Sequence, residues 1–403
     1  VRETLVTSAF CAIALGLALT AAHLEPEARV PEALSDEGQP FYPDFKDPLA
    51  CKALEIIDYN ETTATAEPFK VELRNGRFVI PTHHGYPADA KDRLAKTAAA
   101  LMDLRKDTVR SNSIADHASF GVIDPMDADA TSLAGRGKRV TLKDADGNVL
   151  ADYILGKPVQ GKTGYRYVRI PGGKTTYAVR TDAEPSADFA DWVKADVLRL
   201  SADDIRRITI HDYSVDEQFG AVTRLEKTTL SRRDGDWVTD DGGAPAKATV
   251  QALVASLANL RIVDVRPKPD DIARNLVASN RIELSMENMV SLRGMGFFFT
   301  PRGQLLSNEG ETIVETRHGL IYTLRFGEVA GGSGIATVGD ENAMDIDKAQ
   351  ESRYVFITVR YETTRAAEHN EGDASKIENE GKRRAGTLSR RFAPWYYVIS
   401  GTD

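Results

Sequence analysis

The sequence predicts an α+β protein: an N-terminal transmembrane helix followed by two related units, each mostly antiparallel sheet with a covering helix. Three observations predict it. Residues 5–24 carry no charged side chain, and about 20 apolar residues at a 1.5 Å rise cross the ~30 Å hydrocarbon core of a bilayer. An alternating segment ending at Arg74, a turn Asn75-Gly76 and a strand containing Phe78 are echoed by Arg232, Asp234-Gly235 and Trp237. Both copies are preceded by an Asp-Tyr pair (Asp58-Tyr59, Asp212-Tyr213) and followed by a helical run ending in Leu-Arg (Leu104-Arg105, Leu260-Arg261). The boundaries that follow are a membrane anchor or signal segment at 1–24, a linker at 25–48, a first unit at 49–200 and a second at 201–403. The second unit carries a charged insertion at 362–391.

Positive charge before the apolar run comes from Arg2 and the amino terminus, while Glu25, Glu27 and Glu32 follow it. That asymmetry places the short N-terminus inside and the bulk of the chain outside the cytoplasmic membrane. A retained single-pass anchor is favoured by the length of the run, against a signal peptide cut near Thr20-Ala21-Ala22. Residues 25–48 are rich in proline and acid and read as a linker.

In the first unit, 54–59 alternates as a strand. Strands 69–73 and 77–80 flank Asn75-Gly76, a hairpin signal because a type I′ turn needs positive φ at both central residues. Ala88, Leu94, Ala98 and Leu101 fall at helical spacing, giving an amphipathic helix over 88–104. Two further hairpins follow, 139–143 with 149–155 and 165–170 with 175–180. Residues 186–198 read as a connecting helix. The second unit repeats the order with a strand at 205–213, the Asp234-Gly235 hairpin and a helix at 246–260. A short helix at 271–278 and a strand near Ile282 come next. Strands are expected at 296–300, 311–316, 321–326 and 354–361. Residues 362–391 have few large apolar side chains and read as a mobile insertion or a solvated helix. Trp395 to Ile399 closes the chain as an aromatic strand.

The net charge of −9 argues against nucleic-acid binding, which needs clustered Lys and Arg. Two cysteines, Cys11 and Cys51, cannot build a disulfide framework, and Cys51 reads as a packed lone thiol.

Gly156 to Thr163 fits the phosphate-loop pattern G-x-x-x-x-G-K-T, with Lys162 in the phosphate-binding place. That chemistry needs a helix beginning at the Lys-Thr, whose free amides hold the phosphates. The residues after Gly164 instead alternate as a strand and Pro158 removes an amide, so a hairpin loop and no nucleotide binding are expected. His83-His84 lack an evident third metal ligand and read as solvated loop histidines. His211 lies on a strand, on the side opposite Ile208 and Ile210. Asp144-Ala-Asp146-Gly-Asn148 opens like a calcium loop, but its twelfth position is Leu155, so turn chemistry explains it. Gly331-Gly-Ser333-Gly334 is a flexible loop, not a nucleophile elbow. Met286, Met289, Met295 and Phe297 to Phe299 read as core packing of a strand, with a partner surface as the alternative. These residues name no catalytic, metal-ligating or cofactor-binding group, and no cofactor is expected.

Three segments carry a resemblance: Leu292 to Glu311 with its Gly294, Gly296 and Phe297-Phe298-Phe299, Arg317 to Glu328, and Arg391 to Ser400. With Tyr153 to Gly156 and Tyr165 to Arg169 of the first unit, the chain resembles a bacterial family of unknown function. Its members are membrane-anchored exported proteins, often with tandem copies of one domain, encoded beside gliding-motility-type ABC transporter subunits. The resemblance implies a non-enzymatic accessory or binding subunit in the periplasm or extracytoplasmic space. Its implied partners are ABC transporter membrane subunits or other envelope proteins. An envelope enzyme acting on polysaccharide or peptide is the alternative expectation, along with a structural protein that self-assembles through strand edges.

Overall fold

Type I′ turns and alternating apolar residues organise the first half of the computed structural model, which describes residues 36–216, 221–279, 285–300, 304–330, 352–367 and 374–400, together with Ala14. Asn75 (φ +50°) and Gly76 (φ +74°) close a hairpin between β2 (Thr65–Arg74) and β3 (Arg77–Ile80). Around it are β1 (Ala53–Asn60), β4 (Tyr86–Pro87), α1 (Lys91–Met102), β5 (Thr108–Ser111) and a short α2 (His117–Phe120). Then come β6 (Lys138–Lys143), β7 (Val149–Pro158), β8 (Tyr165–Arg169) and β9 (Thr176–Arg180). The nine strands form one sheet in the order β4-β3-β2-β1-β6-β7-β8-β9-β5.

The second half opens with β10 (Ile205–Asp216), β11 (Ala221–Arg233), β12 (Asp236–Thr239), α3 (Lys247–Ala258) and β13 (Ile262–Pro267). Next are α4 (Asp270–Ser279), α5 (Met286–Gly294), β14 (Phe297–Phe299) and β15 (Leu305–Ser307). The remainder is β16 (Glu311–Thr316), β17 (Leu320–Val329), β18 (Arg353–Tyr361), α6 (Thr363–Ala367), α7 (Ala374–Phe392) and β19 (Trp395–Ile399). Eight of these strands form a sheet in the order β12-β11-β10-β16-β17-β18-β19-β13, while β14 and β15 pair separately. The fold is α+β, and the named strands pair antiparallel throughout.

The order of the second sheet is that of the first without β4, and the residue register repeats with it. Asp58 lies opposite Glu67 and Asp212 opposite Glu226. Leu54 faces Leu142, and Ile208 faces Val314. At the far edge Val109 pairs with Tyr177, and Val265 with Tyr397. The turns match as well, with Asp234 at φ +50° and Gly235 at φ +92°. Phe78 and Trp237 occupy the same place after their turns, and both are half-buried against the core.

The two sheets share one apolar core, containing Leu54, Ile56 and Tyr153 of the first and Ile208, Tyr322 and Tyr397 of the second. The side chains of β18 and β19 alternate. Val355, Ile357 and Tyr397 enter this shared core, while Phe356 and Tyr396 enter a second cluster with Ile272, Leu276, Leu292 and Phe297. The second sheet is thus covered on both faces, which is why Trp395 to Ile399 reads as a continuous apolar run.

Several elements differ from the sequence reading. Residues 186–198 form only a 3-10 turn at Phe189–Trp192, after which Val193 is extended (φ −117°, ψ 161°). The segment is held by tertiary packing: Trp192 is fully buried, its indole donates to the Ser186 carbonyl at 2.9 Å, and its own carbonyl accepts from Asp89 N at 2.7 Å. Within the stretch read as a linker, residues from Asp36 onward are packed. Phe41 and Phe45 are core residues, and Tyr42 donates to the Asp152 carbonyl at 2.6 Å. Of the two expectations for the charged insertion, the helix is the one that forms over α7, but it is not merely solvated. That helix buries Gly381, Ala385, Leu388 and Phe392, spaced i, i+4, i+7 and i+11 along one face. Met286 and Met289 lie on helix α5, not a strand, and Met286 is 74% exposed. Strands β5 and β13 add an edge to each sheet that the sequence reading did not contain. The strand expected near Ile282 and the Gly331 to Gly334 loop fall outside the described residues. So does residues 5–24 apart from Ala14. Among the described residues no helix is long and apolar enough to cross a membrane.

Candidate functional site

The hairpin β1–β2 of the first sheet and edge strand β13 of the second enclose a polar cleft of about 880 Å³. Its position follows from the folding of residues 81–87. Ile80 leads into a 3-10 turn at Pro81–His83, and His84 adopts a left-handed conformation (φ +58°) that separates the two imidazoles. His84 is exposed, whereas His83 turns inward and stacks on Phe189 with ring centroids 4.6 Å apart. His83 is therefore not a solvated loop histidine. Its Nε2 lies 3.8 Å from Asp264 Oδ1 on β13. Burial holds its pKa below the ordinary imidazole range, opposed by the Asp264 carboxylate and reinforced by Arg266 and His84.

Four carboxylates line the cleft, Asp58, Glu67, Asp188 and Asp264, and each has a partner. Asp58 is 3.0 Å from Lys138 Nζ, and Glu67 accepts from Asn60 Nδ2 at 3.1 Å. Asp188 accepts from Ala190 N at 3.0 Å as the cap of the 3-10 turn. Asp264 accepts from Val265 N at 2.7 Å and pairs with Arg266. Threonines 62, 63, 65 and 82 add hydroxyls to the lining, and Pro68, Phe69 and Val263 are among its apolar part. The arrangement offers hydroxyls, one imidazole and compensated carboxylates to a polar ligand. The His83–Asp264 separation is longer than a hydrogen bond. Among the described residues no cluster of three or more His, Cys, Asp or Glu could hold a metal ion.

The other motifs resolve into local structure. Lys162 sits in the β7–β8 hairpin, where Gly161 (φ +75°) and Gly164 (φ +72°) turn the chain and no helix begins. Its ammonium lies 3.5 Å from the Tyr165 ring centroid. Asp144 Oδ1 accepts from the amides of Asp146 and Asn148, both at 2.9 Å, closing the β6–β7 turn. His211 lies directly opposite Glu311 across β10 and β16, with Nδ1 3.0 Å from Oε1. Cys51 is buried and donates to the Ala53 carbonyl at 3.3 Å, and burial pushes its thiol up to about 11.

Sequence reasoning missed the His83–Asp264 approach, because it joins residues 181 positions apart through an edge strand that was not foreseen. It also missed Lys268, which is 3% exposed and, among the described residues, pairs with no acid. The Lys268 ammonium donates to the carbonyls of Phe392, at 3.1 Å, and Trp395, and lies 4.0 Å from the Phe356 ring centroid.

Residues 79–278 match the family described as Domain of unknown function (DUF4340). This part of the chain is similar to that domain. The matched span begins in β3 and ends in α4, so it crosses from the first sheet into the second. No curated protein and no solved structure matches the chain.

Proposed function

We propose that the protein is a membrane-anchored, extracytoplasmic accessory or binding subunit of a gliding-motility-type ABC transport system, non-enzymatic and built from two copies of one α+β unit. The observation that carries the binding reading is the polar cleft between the sheets, in which every carboxylate is compensated by a cation, an amide or a structural cap. These contacts fix the carboxylates in the cleft walls, where they and the threonine hydroxyls can meet a polar ligand. The shared strand order and register support the two-copy reading. Anchoring rests on the uncharged run at residues 5–24, and the transport context rests on the resemblance of the Leu292 to Glu311 and Arg391 to Ser400 segments.

One observation favours the envelope-enzyme alternative: His83 and Asp264 approach each other across the seam in the same cleft. A hydrolytic role would make His83→Ala inactive towards polysaccharide or peptide substrates, whereas the binding reading expects no turnover by either form.

Purification from gently solubilised native membranes tests the proposal. ABC membrane subunits should co-purify with the full chain, and N-terminal sequencing should recover residues 5–24 on the mature protein. Repeated isolation of the protein alone would count against the partnership. A mature chain beginning near Ala22 that washes off with carbonate would overturn the anchor.

A further inference from the structure

A second cleft, of about 420 Å³, opens where α7 ends and β19 begins, against the β4 region and the connector between the sheets. Four cations line it: Lys194 and Arg199 from the connector, Arg390 and Arg391 from the last turn of α7. A single acid, Asp89, lines it with them. The concentration runs against the chain's net charge of −9. Several arginines elsewhere pair with acids, as Arg317 does with Asp204 at 2.7 Å, Arg365 with Glu315 at 3.0 Å and Arg139 with Asp152 at 2.8 Å. Among the described residues, none of the four cleft cations forms an ion pair.

The C-terminal carbonyls of α7 favour nearby cations, which accounts for Arg390 and Arg391. They do not account for Lys194 and Arg199, which reach the same cleft from a different segment. Arg199 is held at φ +49°, a left-handed conformation that glycine adopts freely and other residues rarely do. Most of the remaining lining is apolar or aromatic. Trp395 meets the buried Tyr86 ring edge-on at 5.2 Å, with Leu388 and Pro394 beside it.

We propose that this cleft binds a phosphomonoester carried on a sugar or comparable ring, the phosphate held by the four cations and the ring lying on the Trp395 wall. A dianion offsets most of the excess positive charge, and arginine forks match phosphate oxygens. The volume falls within the range of small-molecule sites. The inference stands apart from the transport reading, since it concerns a ligand and not a protein partner.

Calorimetry on the full chain in non-ionic detergent tests it, with glucose 1-phosphate, inorganic phosphate and glucose as probes. Glucose 1-phosphate should bind more tightly than inorganic phosphate, and glucose should give no heat. Combining Lys194→Ala with Arg199→Gly should weaken glucose 1-phosphate roughly 10- to 100-fold, as expected for lost charge-assisted hydrogen bonds. Arg199→Gly alone should leave the thermal midpoint at or above that of the parent, because glycine suits the backbone there. That separates a lost ligand contact from a lost fold. Absence of binding by both phosphates, or an affinity unchanged in the double variant, would overturn the site. Equal affinity for inorganic and sugar phosphate would overturn the role of the aromatic wall.

Discussion

At the scale of single residues, two glycines of one helix should respond to the same substitution with opposite signs. A Cβ on Gly381 would lie 2.0 Å from Cε2 of Tyr361, whose ring is itself packed against the shared core. A Cβ on Gly386 would meet only the Arg390 guanidinium, at 3.8 Å. Alanine improves helix propensity at both positions by about 1 kcal/mol, but overpacking costs about 1–3 kcal/mol. Gly386→Ala should therefore stabilise in chemical denaturation and Gly381→Ala should destabilise; stabilisation by both would show that Tyr361 moves aside freely. Lys268 supplies a pH signature. Burial pushes its pKa well below the ordinary lysine range in the folded protein, while the unfolded chain titrates near about 10.4. Between those values the unfolded state binds more protons, so this group makes stability rise with pH up to about 10.4 and adds no slope above it. Thermal midpoints measured across alkaline pH should rise less steeply in Lys268→Met than in the parent, and parallel curves would refute the assignment.

At the scale of elements, α7 separates the two expectations for the charged insertion. A solvated helix would tolerate Leu388→Ala with little change, since exposed substitutions stay within about 0.5 kcal/mol. The structure buries Leu388 with Phe392 under β18, and its truncation should cost about 2–5 kcal/mol, read as a shift in urea midpoint at constant slope. The contrast also shows what a sequence carries. Hairpins were legible because Asn75-Gly76 and Asp234-Gly235 satisfy a local need for positive φ, and β16 and β19 because alternation or a dense apolar run marks them. Helix α7 was obscured because its buried stripe contains Gly381 and Ala385, small residues that signal no core by composition. Residues 186–198 failed in the other direction: their apolar spacing suits a helix, but the seam between the sheets draws Phe189, Trp192, Val193 and Val197 into an irregular path. The first cleft was invisible for a related reason, since His83 and Asp264 acquire meaning only once β13 is placed at the sheet edge. The second was invisible because Lys194, Arg199, Arg390 and Arg391 are scattered through segments whose convergence is a tertiary fact.

At the scale of the molecule, the repeated topology raises the question of whether the sheets are independent. Chains of this length commonly unfold domain by domain, and two register-matched sheets would ordinarily be expected to melt separately. The packing argues otherwise. The apolar core is continuous between them, the fully buried Trp192 lies in the connector with Phe69 at 5.8 Å, and Tyr86 of the first sheet contacts Trp395 and Tyr397 of the second at 5.2 and 6.4 Å. Separating the sheets would expose these aromatic surfaces, each a large apolar area, without disrupting a single ladder hydrogen bond within either sheet. Tryptophan fluorescence and far-ultraviolet circular dichroism should therefore report one coincident transition in urea. Tyr86→Ala, which removes the ring from the seam and leaves both sheets otherwise intact, should lower stability by about 3 kcal/mol and reduce that coincidence, with the two probes beginning to diverge. Two resolved transitions in the unaltered protein would show that the shared core is too weak to couple the sheets, and the clefts at their seam would then open and close with the motion of one sheet against the other.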